Sequence, residues 1–203
     1  RYCSSDDLQL PAGMRLVSFD SGIVDVEMTS NGMRFVVMPF GKGNNAMVKR
    51  LCIGGSRLED SEWAGSCHVI EHADFRTLNW LDYGGMDKNA STCKNYIMHE
   101  ASLLLDPSVG HLQKELQFHV DTMKGTNIRA LDADSIRLEI QNVWDERNFN
   151  AQSGSAYRMM IMKSEELLLP RVSGPRAWCK PTIGTRISLD HIKSADDLLQ
   201  LHH

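Results

Sequence analysis

Apolar and polar residues alternate over Ile23 to Thr29 and again over Met33 to Met38, with Asn31-Gly32 between the two runs. A period of two places successive side chains on opposite faces of a strand, and Asn-Gly is a strong hairpin signal, so the two runs predict paired strands. Gly41 to Asn45 reads as a second turn and Ala46 to Ile53 as a further strand that stops at Gly54-Gly55. The expectation for this part of the chain is an antiparallel meander.

The period then changes. Trp63, Val69, Ile70, Phe75 and Leu78 recur at helical intervals, predicting a helix over Ser61 to Leu81 with Gly84-Gly85 as its stop. Asn95 to Leu105 alternates at first and ends continuously apolar, as a buried strand does. Asp106-Pro107 opens a second helical pattern, with Val109, Leu112, Leu116, Val120 and Met123 on one stripe and Gly125 at its end. A third helix is expected from about Asp132 to Asn148, its core stripe being Ile136, Ile140, Val143 and Trp144. Gly154 to Leu169 is compatible with a Met-rich helix, Pro170 to Gly184 with an extended loop, and Ser194 with Asp197 forms a capping-box pattern ahead of a last helix through Leu201.

Composition narrows the function. The 203 residues carry 22 basic and 26 acidic side chains, a net charge of −4, which is no footprint for phosphate backbones, so nucleic acid is a poor partner. No run approaches the roughly 18–20 apolar residues of a membrane span. Cys3, Cys52, Cys67, Cys93 and Cys179 are odd in number and form no C-x-x-C pair, which speaks against a disulfide framework and for a reducing, intracellular or organellar setting. The chain opens at Arg1, so an upstream segment, with any targeting signal, is expected to have been removed.

The chemistry concentrates in His68-Val69-Ile70-Glu71-His72. Helical positions four apart differ by about 40° in direction and one turn in height, so His68 and His72 can reach one metal ion. Glu71, close to the same face, can touch a metal-bound water without being a ligand. Two imidazoles and one carboxylate leave a coordination position on Zn²⁺ for water, whose pKa falls toward about 7. The best candidate for the third ligand is Glu146, with Glu139 seven residues earlier on the same helical face; one would bind metal and the other orient a ligand histidine. Such a five-residue string arises by chance in roughly 1–2% of chains of this composition, so its context decides.

That context resembles the inverzincin metalloproteases of the pitrilysin, insulysin and mitochondrial processing peptidase family. Gly55-Ser56-Arg57-Leu58-Glu59, then Gly65, His68 to His72 and Phe75 follow one family motif; Asn89-Ala90-Ser91-Thr92 is similar to its Asn-Ala-x-Thr strand. Glu139 to Glu146, with Val143 between and Asn148 and Asn150 after, resembles its acidic helix, and Gly184-Thr185 with Ile187 its Ile-Gly-Thr segment. The resemblance runs from about Val26 to the end. Two positions depart from it: Asp74 stands where the family has a usually apolar residue, and His99 where it often has an aromatic.

The resemblance implies an α+β half-domain, an antiparallel sheet with helices on one face, over residues 21–203, after an extension over residues 1–20 and stopping short of the last strand. It implies His68, His72 and Glu146 as zinc ligands, Glu71 as general base, Glu139 as the acid behind the ligands, and Asn89 and Ala90 on the edge strand that pairs with an extended substrate. The expected activity is zinc-dependent endoproteolysis of peptides or unfolded polypeptides, with a second homologous half-domain or subunit completing the chamber. The alternative is a weak or inactive scaffold subunit, like the core subunits of the respiratory bc1 complex in the same family. Met159, Met160 and Met162 are expected as core filler and Cys67 as a small buried residue; His111, His119, His191, His202 and His203 form no site.

Overall fold

Alternation over residues 23–38 becomes two antiparallel strands, β2 (Ile23–Met28) and β3 (Arg34–Val37), and a further strand, β1 (Met14–Asp20), pairs with the other side of β2. β1 falls in the segment expected to be an extension. Its pairing shifts register between Leu16 and Ser18, and that bulge breaks the period-two pattern that would have marked a strand. The computed structural model describes residues 9–38, 43–76, 87–106, 108, 110–152, 160, 164 and 181–202, and the chain divides into two units, Arg1–Asn44 and Asn45–His203. Within the first, Val26 and Asp25 are buried, and Arg34 forms an ion pair with Asp25.

The meander ends at β3. β4 (Asn45–Ile53) pairs instead with β6 (Tyr96–Leu104), residue against residue from Asn45↔Leu104 to Ile53↔Tyr96, and β5 (Asp87–Thr92) takes the other side of β6. The order β4-β6-β5 leaves β5 as an edge among the described residues. Along β6, Ile97, His99, Ala101 and Leu103 are buried, and the register places Arg50, Lys88, Ala90 and Thr92 on that same face. Helices cover it, while Met47, Leu51 and Ile53 on the opposite face of β4 are exposed. The architecture is the expected α+β one.

The helix expected over Ser61 to Leu81 begins later. A 3-10 turn, Ser61–Trp63, precedes α1 (Ser66–Arg76); Leu78 and the Gly84-Gly85 stop lie outside the described residues. Next come α2 (His111–Met123), the short α3 (Thr126–Arg129), α4 (Ala133–Gln152), α5 (Arg186–Leu189) and α6 (Ala195–His202). One core joins them: Val69, Ile70 and Ala73 of α1 pack with Ile128, with Ile136, Ile140 and Val143 of α4, and with Leu189, Ile192, Leu198 and Leu199. Burying each such aliphatic side chain stabilises by about 1.5–3 kcal/mol, so α1 is held against α4 by most of the core. The Ser194–Asp197 box forms, Asp197 accepting from the Ser194 N–H at 2.9 Å and donating its own N–H to Ser194 Oγ at 3.3 Å.

α2 turns the opposite way to its apolar stripe. Leu112 and Leu116 are exposed, whereas His111, Glu115, Phe118, His119 and Thr122 are buried. The cause is Lys88, whose ammonium reaches down from β5 to Glu115 and lies 4.3 Å from the Phe118 ring centroid. Its charge brings the polar stripe inward. Met160 is exposed rather than core; Val109, Met159, Met162 and nearly all of the expected Met-rich helix and extended loop lie outside the described residues.

Candidate metal centre

Two of the sequence motifs, Gly55 to Phe75 and the Gly184-Thr185 segment, meet at the first turn of α1. Glu59 is buried, and its carboxylate accepts hydrogen bonds from the Gly65 N–H (2.8 Å), the Cys67 N–H (2.6 Å) and the Ser66 hydroxyl (3.2 Å), satisfying the orphan donors of the helix start. This is why the helix starts at Ser66. Burial pushes the Glu59 carboxyl up, against the pull of those donors. A Cβ on Gly65 would lie 2.7 Å from the Gly184 Cα, and one on Gly184 2.4 Å from the Ala64 carbonyl oxygen, so two glycine backbones touch where no side chain fits. Next to them Ser188 donates its hydroxyl to the Ala64 carbonyl at 2.7 Å. Gly55 likewise packs on the β5–β6 turn, where Gly54, Ser56 and Arg57 donate backbone N–H groups to the carbonyls of Asn95, Cys93 and Lys94 at 2.7, 3.1 and 2.9 Å.

With the helix start fixed, His68 and His72 stand one turn apart, ring centroids 4.9 Å from each other, and face α4. Glu146 Oε2 is 3.4 Å from His68 Nε2 and 3.5 Å from His72 Nε2. Two donors bound at about 2.0–2.2 Å to one tetrahedral zinc are themselves about 3.3–3.6 Å apart, so these separations fit an ion between them. Glu139 Oε2 is 3.5 Å from His72 Nδ1, on the side where an Nδ1–H points when Nε2 is the ligand atom. Arg76 (3.2 Å) and Asn142 (2.9 Å) hold Glu139 in turn.

The field suits a cation. The histidines hold the Glu146 carboxyl far below the usual range, outweighing its partial burial. Burial pulls His72 down, but hydrogen bonding to Glu146 and the charges of Glu71, Glu146 and Glu139 carry it above its ordinary value. Cys67 is half-buried, its thiol pushed up by burial and by Glu59, and among the described residues it joins no cluster of metal donors.

Glu71, 8% exposed, receives the Thr92 hydroxyl at 2.5 Å. It lines, with His72, Phe75, Arg76, Lys88, Glu139, Asn89 and Ala90, an open cleft of about 560 Å³. The sequence-predicted site residues therefore gather at one place: His68, His72 and Glu146 as a donor set, Glu71 and Glu139 beside it, Asn89 and Ala90 on the edge strand. The Asn89 side-chain oxygen accepts the Ala90 N–H at 2.9 Å, covering a donor on that edge.

Two buried polar networks behind this wall escape the sequence reading. Asp74 and His99, the two departures from the family pattern, are partners: Asp74 Oδ2 is 3.4 Å from His99 Nε2, and Arg50 donates to His99 Nδ1 at 2.8 Å while its guanidinium is 3.6 Å from Asp74. Burial, then the Arg50 charge, holds His99 below its ordinary value, against the pull of Asp74; the ring accepts from Arg50 at Nδ1 and turns Nε2 toward Asp74. Phe75 stacks on His99 with centroids 5.4 Å apart. The second network is Lys88, Glu115 and His119, the last 3.1 Å from Glu115. Its signal was the four-residue spacing of Glu115 and His119, masked by the neat leucine stripe beside it.

No protein-family model matches the chain, and no curated protein matches it by sequence. Solved structures do. The periplasmic protease PqqL from Escherichia coli superposes with a TM-score of 0.67 at 18% identity, over 93% of this chain and 21% of its own. Pitrilysin gives 0.67 at 16% identity, over 95% and 21%, and a chain of Complex III2 from Candida albicans 0.62 at 16%, over 85% and 38%. The chain thus spans about a fifth of the length of PqqL and pitrilysin and under two fifths of the complex III chain. At these identities the likeness is one of fold: the chain has the fold of the corresponding part of pitrilysin and PqqL.

Proposed function

We propose that this chain is the metal-bearing half of a zinc metalloendopeptidase acting on peptides or unfolded polypeptides. The observation that carries the reading is the meeting of His68, His72 and Glu146, with Glu146 Oε2 3.4 Å from His68 Nε2 and 3.5 Å from His72 Nε2, in a cluster that could hold a metal ion close to Glu71. The three residues would hold the ion, Glu139 would keep His72 in the tautomer that offers Nε2, and Arg76 would hold Glu139 in place. Zinc held there would supply Lewis acidity toward the scissile carbonyl and lower the pKa of water. Glu71 Oε takes the proton of the attacking water and passes it to the leaving amine. An extended peptide pairs with β5, where Asn89 must release the Ala90 N–H to it. A second half-domain or subunit of the same fold closes the other side of the cleft, in keeping with the length of the structural relatives.

Metal content by elemental mass spectrometry is the first test: near one zinc per chain, lost in His72→Ala. Glu71→Gln should keep the metal and abolish hydrolysis of an internally quenched peptide; full activity in that variant sinks the assignment. A second reading, a scaffold subunit of a larger complex, draws on the likeness to the Complex III2 chain. A folded chain that takes up no zinc when offered it decides for the scaffold.

A further inference from the structure

We propose that Thr92 is a positioning residue of this site: its hydroxyl fixes the Glu71 carboxylate and ties it to the strand on which a peptide would pair. The inference rests on the functional reading above. Thr92 Oγ1 lies 2.5 Å from Glu71 Oε2 and 3.5 Å from the Cys67 carbonyl oxygen. A hydroxyl has one proton, and the nearer, charged acceptor takes it. Among the described residues Thr92 alone donates a hydrogen bond to that carboxylate.

The donor is itself held rigidly. Thr92 closes β5, pairs with Ile97, and is followed by the turn that the Gly54, Ser56 and Arg57 backbone clamps through three hydrogen bonds. On the same face of β5, two and four residues back, come Ala90 and Lys88, the latter paired to Glu115 on α2. The edge strand is thus fastened at one end to the base on α1 and at the other to α2. A glutamate side chain has three rotatable bonds, so a carboxylate that must meet water within a few tenths of an ångström needs a fixed donor. Placing that donor on the edge strand makes the position of the base depend on the strand that a peptide pairs with.

Thr92→Val keeps the shape and removes the donor, and Thr92→Ser keeps the donor. In the zinc-loaded full chain with its partner half, Thr92→Val should lower kcat for a quenched peptide about tenfold, since misplacement of a reacting group by about 1 Å costs up to about a hundredfold. KM should stay within about twofold and zinc content should be unchanged, while Thr92→Ser recovers most of kcat. A Thr92→Val enzyme with kcat within about twofold of the parent, a loss confined to KM, or a Ser variant no better than Val overturns the proposal. If Thr92→Val does not fold, Thr92→Ala takes its place with the same criteria. Should the parent cleave no peptide, the functional reading fails separately, and a crystal structure of the variant decides: a Glu71 carboxylate displaced by about 1 Å or more supports the role of the hydroxyl, and an unmoved one refutes it.

Discussion

Glu59 shows what a single side chain does for the site: one carboxylate serves three donors at the start of α1, the last of them, Cys67, one residue before the first histidine. Glu59→Ala leaves the Gly65 and Cys67 N–H groups buried without a partner, at about 1–3 kcal/mol. A lower thermal midpoint together with weaker zinc binding is the expected outcome, because the turn carrying His68 frays. Glu115 gives a pH signature. Burial pushes its carboxyl up, but His119 and Lys88 outweigh this and hold it below its ordinary 4.5. A carboxyl so depressed contributes stability above 4.5 and loses it as pH falls through the folded value. Denaturant midpoints followed down from about pH 7 should show the parent's advantage over Glu115→Gln shrinking below pH 4.5; parallel curves would contradict the assignment.

Elements were legible where geometry turns spacing into position. Four residues on a helix are one turn, so His68 and His72 could be set on one helical face from the sequence alone, and seven residues joined Glu139 to Glu146. Legibility failed where a partner distant in sequence decides which side faces in. Leu112 and Leu116 formed a faultless apolar stripe, yet Lys88, more than twenty residues earlier, drew Glu115 and His119 inward. The β1 bulge and the partner of β4 were hidden in the same way, since one depends on register and the other on a strand about fifty residues away. Asp74 and His99 were each visible as oddities but not as a pair. Their network across α1, β4 and β6 makes a stability prediction: Asp74→Leu alone strands the largely buried Arg50 charge and costs about 3–5 kcal/mol. The triple change Arg50→Met, Asp74→Leu and His99→Phe should recover most of that or exceed the parent, as replacement of a buried ion pair by packed apolar groups is neutral to about 4 kcal/mol stabilising. Urea midpoints with unchanged m-values would check it.

At the scale of the whole chain, every residue of the donor set and its supports falls within Asn45–His203. A chain lacking residues 1–44 should therefore bind zinc as the full chain does, measurable by calorimetric titration; loss of binding would show that the first three strands support the site. The contact of Gly65 with Gly184, sealed by Ser188 on Ala64, spans some 120 residues of sequence. Synthesis runs from the N-terminus at about 5–20 residues per second, so both histidines have emerged well before the segment that seats the beginning of their helix. If the chain holds zinc as proposed, capture of metal by a growing polypeptide is thereby postponed: a nascent chain or a proteolytic remnant ending before Gly184 carries His68, Glu71, His72 and Glu146, yet lacks the seat that holds the start of α1 in place.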